Sequence, residues 1–116
     1  MSAEALKGHL DGLILAVLAD SPRHGYGVIE SLRTGTGGRF DLPKGTVYPA
    51  LHRLEQAGLV HGEWSSDTGR RRRTYSLTSA GRRRLGIERS SWREFSAAVG
   101  ALLEPVIVDD RPCPAT

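Results

Sequence analysis

Four consecutive arginines, Arg70, Arg71, Arg72 and Arg73, are followed by Arg82, Arg83 and Arg84, and no acidic residue stands between Gly69 and Ile87. Guanidinium groups at this density bind phosphate by charge and by forked hydrogen bonds, releasing counterions as they do so. An arginine run can also do no more than keep an edge strand soluble and unpaired. The segment ahead of it favours the phosphate reading. There Val47, Leu51 and Leu54 recur at i, i+4 and i+7, the mark of a helix with one buried stripe, which leaves Thr46, Tyr48, His52 and Arg53 on the other side. A helix with an exposed polar face running into an arginine-rich hairpin is the order expected of a protein that reads duplex DNA. Catalytic chemistry finds little support. His9, His24, His52 and His61 lack metal-ligand spacing, and Cys113 has no partner near it in sequence. No enzyme activity, metal or other cofactor is therefore expected, although a metal-responsive protein remains open if remote histidines converge.

The elements that must position these groups follow from periodicity and punctuation. Leu6, Leu10, Leu13, Ile14, Val17 and Leu18 predict a first helix over residues 5–19, ended by Asp20-Ser21-Pro22. Along it Gly8, Gly12 and Ala16 form a small-residue stripe that lets another element approach closely or leaves room for a ligand; simple tolerance of two glycines explains it equally well. Residues 24–33 predict a second helix with Val28, Ile29 and Leu32 inward. The glycine-rich loop that follows, residues 34–38, lacks the Lys-Ser/Thr pair and the preceding strand that a nucleotide cradle needs. A third helix over residues 44–57 stops at Gly58. Residues 59–64 and 70–77 then predict two strands joined by the turn chemistry of Ser65-Ser66-Asp67-Thr68-Gly69, with Tyr75 and Leu77 on one face and Arg72, Thr74 and Ser76 on the other. Thr78 is placed to cap a last helix that runs until Pro105. The fold class is thus mainly α with a small β hairpin. Residues 1–78 form a winged helix-turn-helix unit, 79–105 a long C-terminal helix, and 106–116 a disordered tail.

On the last helix Leu85, Trp92 and Val99 stand seven apart, and Phe95 and Leu102 follow Trp92 and Val99 by three, an a/d stripe. So small a unit has little surface to cover it, so the stripe is expected to pack on a second copy of the chain, with Leu10 of the first helix contributing. Folding back on the chain's own core is the alternative. Glu88 interrupts the stripe and needs a cation, Arg84 or Arg89, or a solvated cavity. At 116 residues and 12.6 kDa the chain has room for a modest core but not for a large catalytic cleft. A net charge of +3 and a pI near 9.5 suit a polyanionic partner. One cysteine excludes a disulfide framework within the chain, and the longest apolar run is too short to cross a bilayer. The expectation is a soluble cytoplasmic protein with no membrane partner.

Beyond this logic, His24-Gly25-Tyr26-Gly27, Gly45-Thr46-Val47-Tyr48-Pro49-Ala50-Leu51-His52-Arg53-Leu54-Glu55, Gly58-Leu59, Gly69-Arg70-Arg71-Arg72 and Tyr75-Ser76-Leu77-Thr78-Ser79-Ala80-Gly81 follow one another at fixed distances. In these motifs, over residues 6–104, the chain resembles the PadR family of bacterial transcriptional regulators, in the short form with a single long C-terminal helix. The resemblance implies a winged helix-turn-helix homodimer that represses neighbouring genes from a palindromic operator and is released by a small effector. Carried over, the third helix is the recognition helix. Lys44, Thr46, Tyr48, Pro49, His52 and Arg53 contact DNA together with Tyr26 and the wing residues Arg70, Arg71 and Arg72. Trp92 matches a tryptophan that stacks flat aromatic effectors at the dimer interface, with Gly12, Ala16 and Glu88 around it. Leu85, Trp92, Phe95, Val99, Leu102 and Leu10 make the dimer contact. Pro43 departs from the pattern by standing where a capping side chain is expected. An architectural protein that coats DNA without sequence preference, a metal-responsive repressor and a winged helix used for protein contacts remain as alternatives.

Overall fold

Leu6 enters the core from a 3-10 turn ahead of the first α-helix, where its carbonyl accepts a 2.8 Å hydrogen bond from the His9 N–H. Gly8 in this turn has φ +90°, a conformation that side-chain-bearing residues rarely adopt. The first helix, α1, therefore spans Leu10–Asp20 rather than beginning near residue 5. In the computed structural model, which describes residues 6, 8–66 and 71–105, six further elements follow. They are β1 (Arg23–His24), α2 (Gly25–Gly35), α3 (Lys44–Gln56), β2 (Val60–Ser65), β3 (Arg72–Leu77) and α4 (Ser79–Leu103). The turn residues Asp67, Thr68 and Gly69, the wing residue Arg70, and the tail with Cys113 lie outside the described residues.

The strand β1 corrects the expectation that a helix begins at His24. Arg23 and His24 instead pair antiparallel with Tyr75 and Thr74 of β3, giving a three-stranded sheet in the order β1-β3-β2. Two residues carry no readable period, so this strand exists only because β3 offers a free edge. The wing pairs from Val60 opposite Leu77 to Ser65 opposite Arg72, so Ser65, expected in the turn, is the last residue of its strand.

Helix α3 starts after Pro43, whose extended backbone (φ −78°, ψ 162°) makes it the N-cap without any side-chain hydrogen bond. Its other end is a Schellman closure. Gly58, at φ +77°, donates to the Glu55 carbonyl, and the Leu59 N–H donates 3.0 Å back to the Leu54 carbonyl. The next helix is stapled to this corner. The Thr78 hydroxyl accepts from the Gly81 N–H at 3.0 Å and donates to the Gly58 carbonyl at 2.7 Å, capping α4 while holding the end of α3. Gly81 must lack a side chain there, since a Cβ would sit 2.1 Å from the Leu59 carbonyl oxygen. As Pro105 dictates, α4 stops at Leu103.

The stripes of α1, α2 and α3 meet in one core that includes Ile14, Leu18, Val28, Val47 and Leu51, all essentially inaccessible to solvent. Val60 and Leu85 join it from the wing and from α4. Leu85 was expected on a seam between two copies; at 4% exposure it is instead a core residue of its own chain. Beyond it α4 leaves the core, with Ile87, Phe95, Leu102 and Leu103 exposed. Among the described residues no helix is long and apolar enough to cross a membrane.

Candidate nucleic-acid interface and apolar cavity

Between the start of α2, the exposed face of α3 and the wing lies a groove of about 1120 Å³. Tyr26, Lys44, Tyr48, His52, Arg71 and Arg72, which the sequence pointed to separately, all line it. Its lining carries four cations, Lys44, Arg71, Arg72 and Arg73, against the single carboxylate of Glu55. Three other expected residues lie elsewhere. Thr46 is half-buried and Pro49 is exposed, both outside the groove. Arg53 turns toward α1, where its guanidinium holds Asp11 at 2.5 Å.

Tyr48 owes its position to Gly25. The ring lies so close to the N-terminus of α2 that a Cβ on Gly25 would come within 2.7 Å of Tyr48 Cε1. This gives the His24-Gly25-Tyr26-Gly27 motif a physical meaning: the glycine is a seat for the tyrosine of the next helix. The neighbouring His24 ring shares a 3.2 Å hydrogen bond with the Thr74 hydroxyl, tying β1 to β3, and the Tyr26 hydroxyl donates to Glu30 at 3.2 Å.

On the wing side, sequence reasoning missed Trp64, and it counted Arg73 with the phosphate-binding run without its partner on α3. Trp64, half exposed, has the Arg71 guanidinium 4.5 Å and the Arg73 guanidinium 5.3 Å from its ring centroid. Arg73 forms a salt bridge with Glu55 of α3, so it braces the wing against that helix. Gly62 makes room for this brace, because a Cβ there would lie 2.7 Å from Arg73 Nε. Burial pushes the Tyr75 phenol up from its ordinary pKa, an effect that the nearby Arg73 charge partly opposes. Alternation along the strands could have found Trp64, since its register partner is Arg73.

A second, apolar cavity of about 580 Å³ opens between α1 and α4. Gly12, Ala16, Glu88 and Trp92, which the family resemblance grouped around an effector, converge on it, and Phe95 joins the wall. His9 packs edge-on to Trp92 at 5.6 Å, and Phe95 lies 6.1 Å from the indole. Glu88 approaches α1 because Gly12 has no side chain; a Cβ there would meet the carboxylate at 3.2 Å. Its cation is Arg84, one turn back on α4, whose Nε donates at 3.1 Å. His9 and Phe40, which also line the cavity, carried no sequence signal: each reaches it from a turn or loop.

A family profile described as the transcriptional regulator PadR-like family matches residues 14–87, which span the core, α3 and the wing. The chain belongs to that family. As a PadR-like protein it is a transcriptional regulator and not an enzyme. It is 39% identical over 87 residues to the transcriptional regulator Rv3488 of Mycobacterium tuberculosis, an alignment covering 74% of this chain and 78% of that one. Among solved structures, a PadR family regulator from Eggerthella lenta superposes with a TM-score of 0.77 at 32% identity, over 90% of this PadR-like chain and 89% of the other. A Clostridium thermocellum transcriptional regulator reaches a TM-score of 0.80 at 23% identity, over 87% and 99% of the two chains, a likeness of fold alone.

Proposed function

We propose that this PadR-like regulator binds a palindromic DNA operator as a homodimer, represses the genes beside it, and leaves the operator when a small aromatic effector enters the cavity between α1 and α4. The observation that carries this reading is the groove in which Lys44, Tyr48 and His52 of α3 stand beside Arg71 and Arg72 of the wing. The start of a recognition helix reaches base edges in the major groove while basic wing residues hold the flanking phosphates, so one face both positions and reads. Arg70, adjacent in sequence, extends the phosphate-binding set.

Dimerisation follows from the far half of α4. Phe95 and Leu102 are exposed, the latter at 85%, and lie on the same a/d stripe as Trp92 and Val99. A second copy laid along this stripe covers them. Leu10, half-buried at the start of α1, borders the same region. Trp92, 53% exposed beside the cavity, then has one face toward the partner and one toward an effector, and its indole offers a flat apolar wall.

The test is binding of the purified protein to the DNA upstream of its own reading frame, titrated against excess random duplex at fixed salt. Retained binding, with half-site centres on the order of 34 Å apart, supports a sequence-specific dimeric regulator. Complete loss to random DNA refutes operator recognition in that region and favours the architectural alternative.

A further inference from the structure

The arginines of the wing do not share one role. Arg73 is committed to Glu55 on α3, whereas Arg71, among the described residues, has no carboxylate partner and lies 4.5 Å from the centroid of the Trp64 ring. Trp64 is 54% exposed, on the groove's lip. A guanidinium held over a ring by cation–π attraction needs none of its five N–H donors for that contact, which leaves them for a phosphate. A long flexible side chain held in this way has already lost rotamer freedom before DNA arrives, so less is lost on binding. The same ring touches Arg73, whose bridge to Glu55 sets the spacing between wing and α3.

We propose that Trp64 is a positioning residue of the DNA groove: its indole pre-orders the Arg71 guanidinium for a backbone phosphate, on a wing whose distance from the recognition helix is set by Arg73 and Glu55. This rests on the DNA-binding reading above. Trp64 itself reads no base, so its contribution is the same on every sequence and is expressed only through Arg71.

The experiment is a double-mutant cycle on a random-sequence duplex with Trp64→Leu, Arg71→Ala and the double variant, together with Trp64→Phe. Trp64→Leu is expected to raise Kd about two- to fivefold, the size of one exposed cation–π contact. In the Arg71→Ala background the same change is expected to cost nothing further, and Trp64→Phe to restore most of the affinity. Equal losses from Trp64→Leu in both backgrounds overturn the proposal, because the ring would then act independently of Arg71. A second readout needs no DNA. In the free protein the Arg71 δ-methylene protons should be shifted upfield by the indole ring current, and the shift should vanish in Trp64→Leu. Its absence from the wild-type protein overturns the stacking outright, even if DNA binding is normal. A ring-current shift in a protein that binds no duplex refutes instead the DNA-binding reading, and with it the role assigned to the stack.

Discussion

Replacing Gly25 by alanine adds one methyl group against the Tyr48 ring, and through that ring it should act on DNA recognition. The new Cβ would lie 2.7 Å from Tyr48 Cε1, 2.9 Å from Cζ and 3.0 Å from the hydroxyl oxygen. Carbon atoms in contact settle at roughly 3.5–4.0 Å, so the ring must retreat by about 1 Å. Tyr48 is free to do so, being exposed on the groove side, and the helix itself gains up to about 1 kcal/mol from alanine in place of glycine. Thermal stability should therefore change little. A displaced base-contacting side chain should lose discrimination of roughly 1–3 kcal/mol, about a five- to 150-fold narrowing between operator and random DNA. The assay is competition binding on both duplexes, paired with a thermal melt of the free protein. A large fall in melting temperature with unchanged discrimination would refute the reasoning, since Gly25 would then serve packing and Tyr48 would not need its seat.

Asp11→Asn should cost less than about 1 kcal/mol of stability, because the Arg53 pair is exposed. With Arg53 released toward the DNA side, the slope of log affinity against log salt should steepen by up to about 0.9 for each protomer bound, and an unchanged slope argues that Arg53 never reaches a phosphate. Gly81→Ala forces a Cβ against the Leu59 carbonyl and should destabilise by about 1–3 kcal/mol in denaturant titration; a neutral result would mean the corner relaxes freely. Trp92→Ala should abolish release of DNA by planar aromatic compounds while sedimentation still reports dimers, and monomers would show the indole to be structural. Because burial raises the Tyr75 phenol, the folded chain keeps a proton that the unfolded chain loses above the ordinary value of 10.0. Stability is then fully present below that pH and lost as pH rises through the folded pKa, and Tyr75→Phe should flatten this alkaline decline in pH-dependent melts.

Where local physics decided the outcome, the sequence was legible. The stripe of Val47, Leu51 and Leu54, the closure at Gly58, the Thr78 cap and the stop before Pro105 each need only residues a few positions away. The helix stripes that carry Gly12, Ala16 and Trp92 were also visible, although their meeting with Glu88 at one cavity came from the family resemblance and not from periodicity. Features set by distant partners were not. The two residues of β1 are a strand only because β3 lies beside them. Arg53 has the same spacing as a base-reading residue, yet Asp11, 42 positions away, takes its guanidinium. Leu85 fits the a/d pattern, but the turn of α4 nearest the core claims it first. Within the arginine run, nothing in the sequence distinguishes Arg73 from its neighbours; Glu55 and the empty space at Gly62 do.

The staple joining Gly58, Leu59, Thr78 and Gly81 makes the end of α3 and the start of α4 one stiff corner, through backbone and hydroxyl bonds rather than flexible side chains. Mechanically, α4 is then a crank arm and α3 the tool fixed to its hub. With 25 residues in α4 the arm is about 37 Å long, and a tilt of about 5° about its far end carries the hub roughly 3 Å. Hydrogen bonds to base edges fail over a few tenths of an ångström beyond about 3.2 Å. A wedge no thicker than an aromatic ring, placed between α1 and α4, therefore has the leverage to carry the whole of α3 several ångströms without bending it.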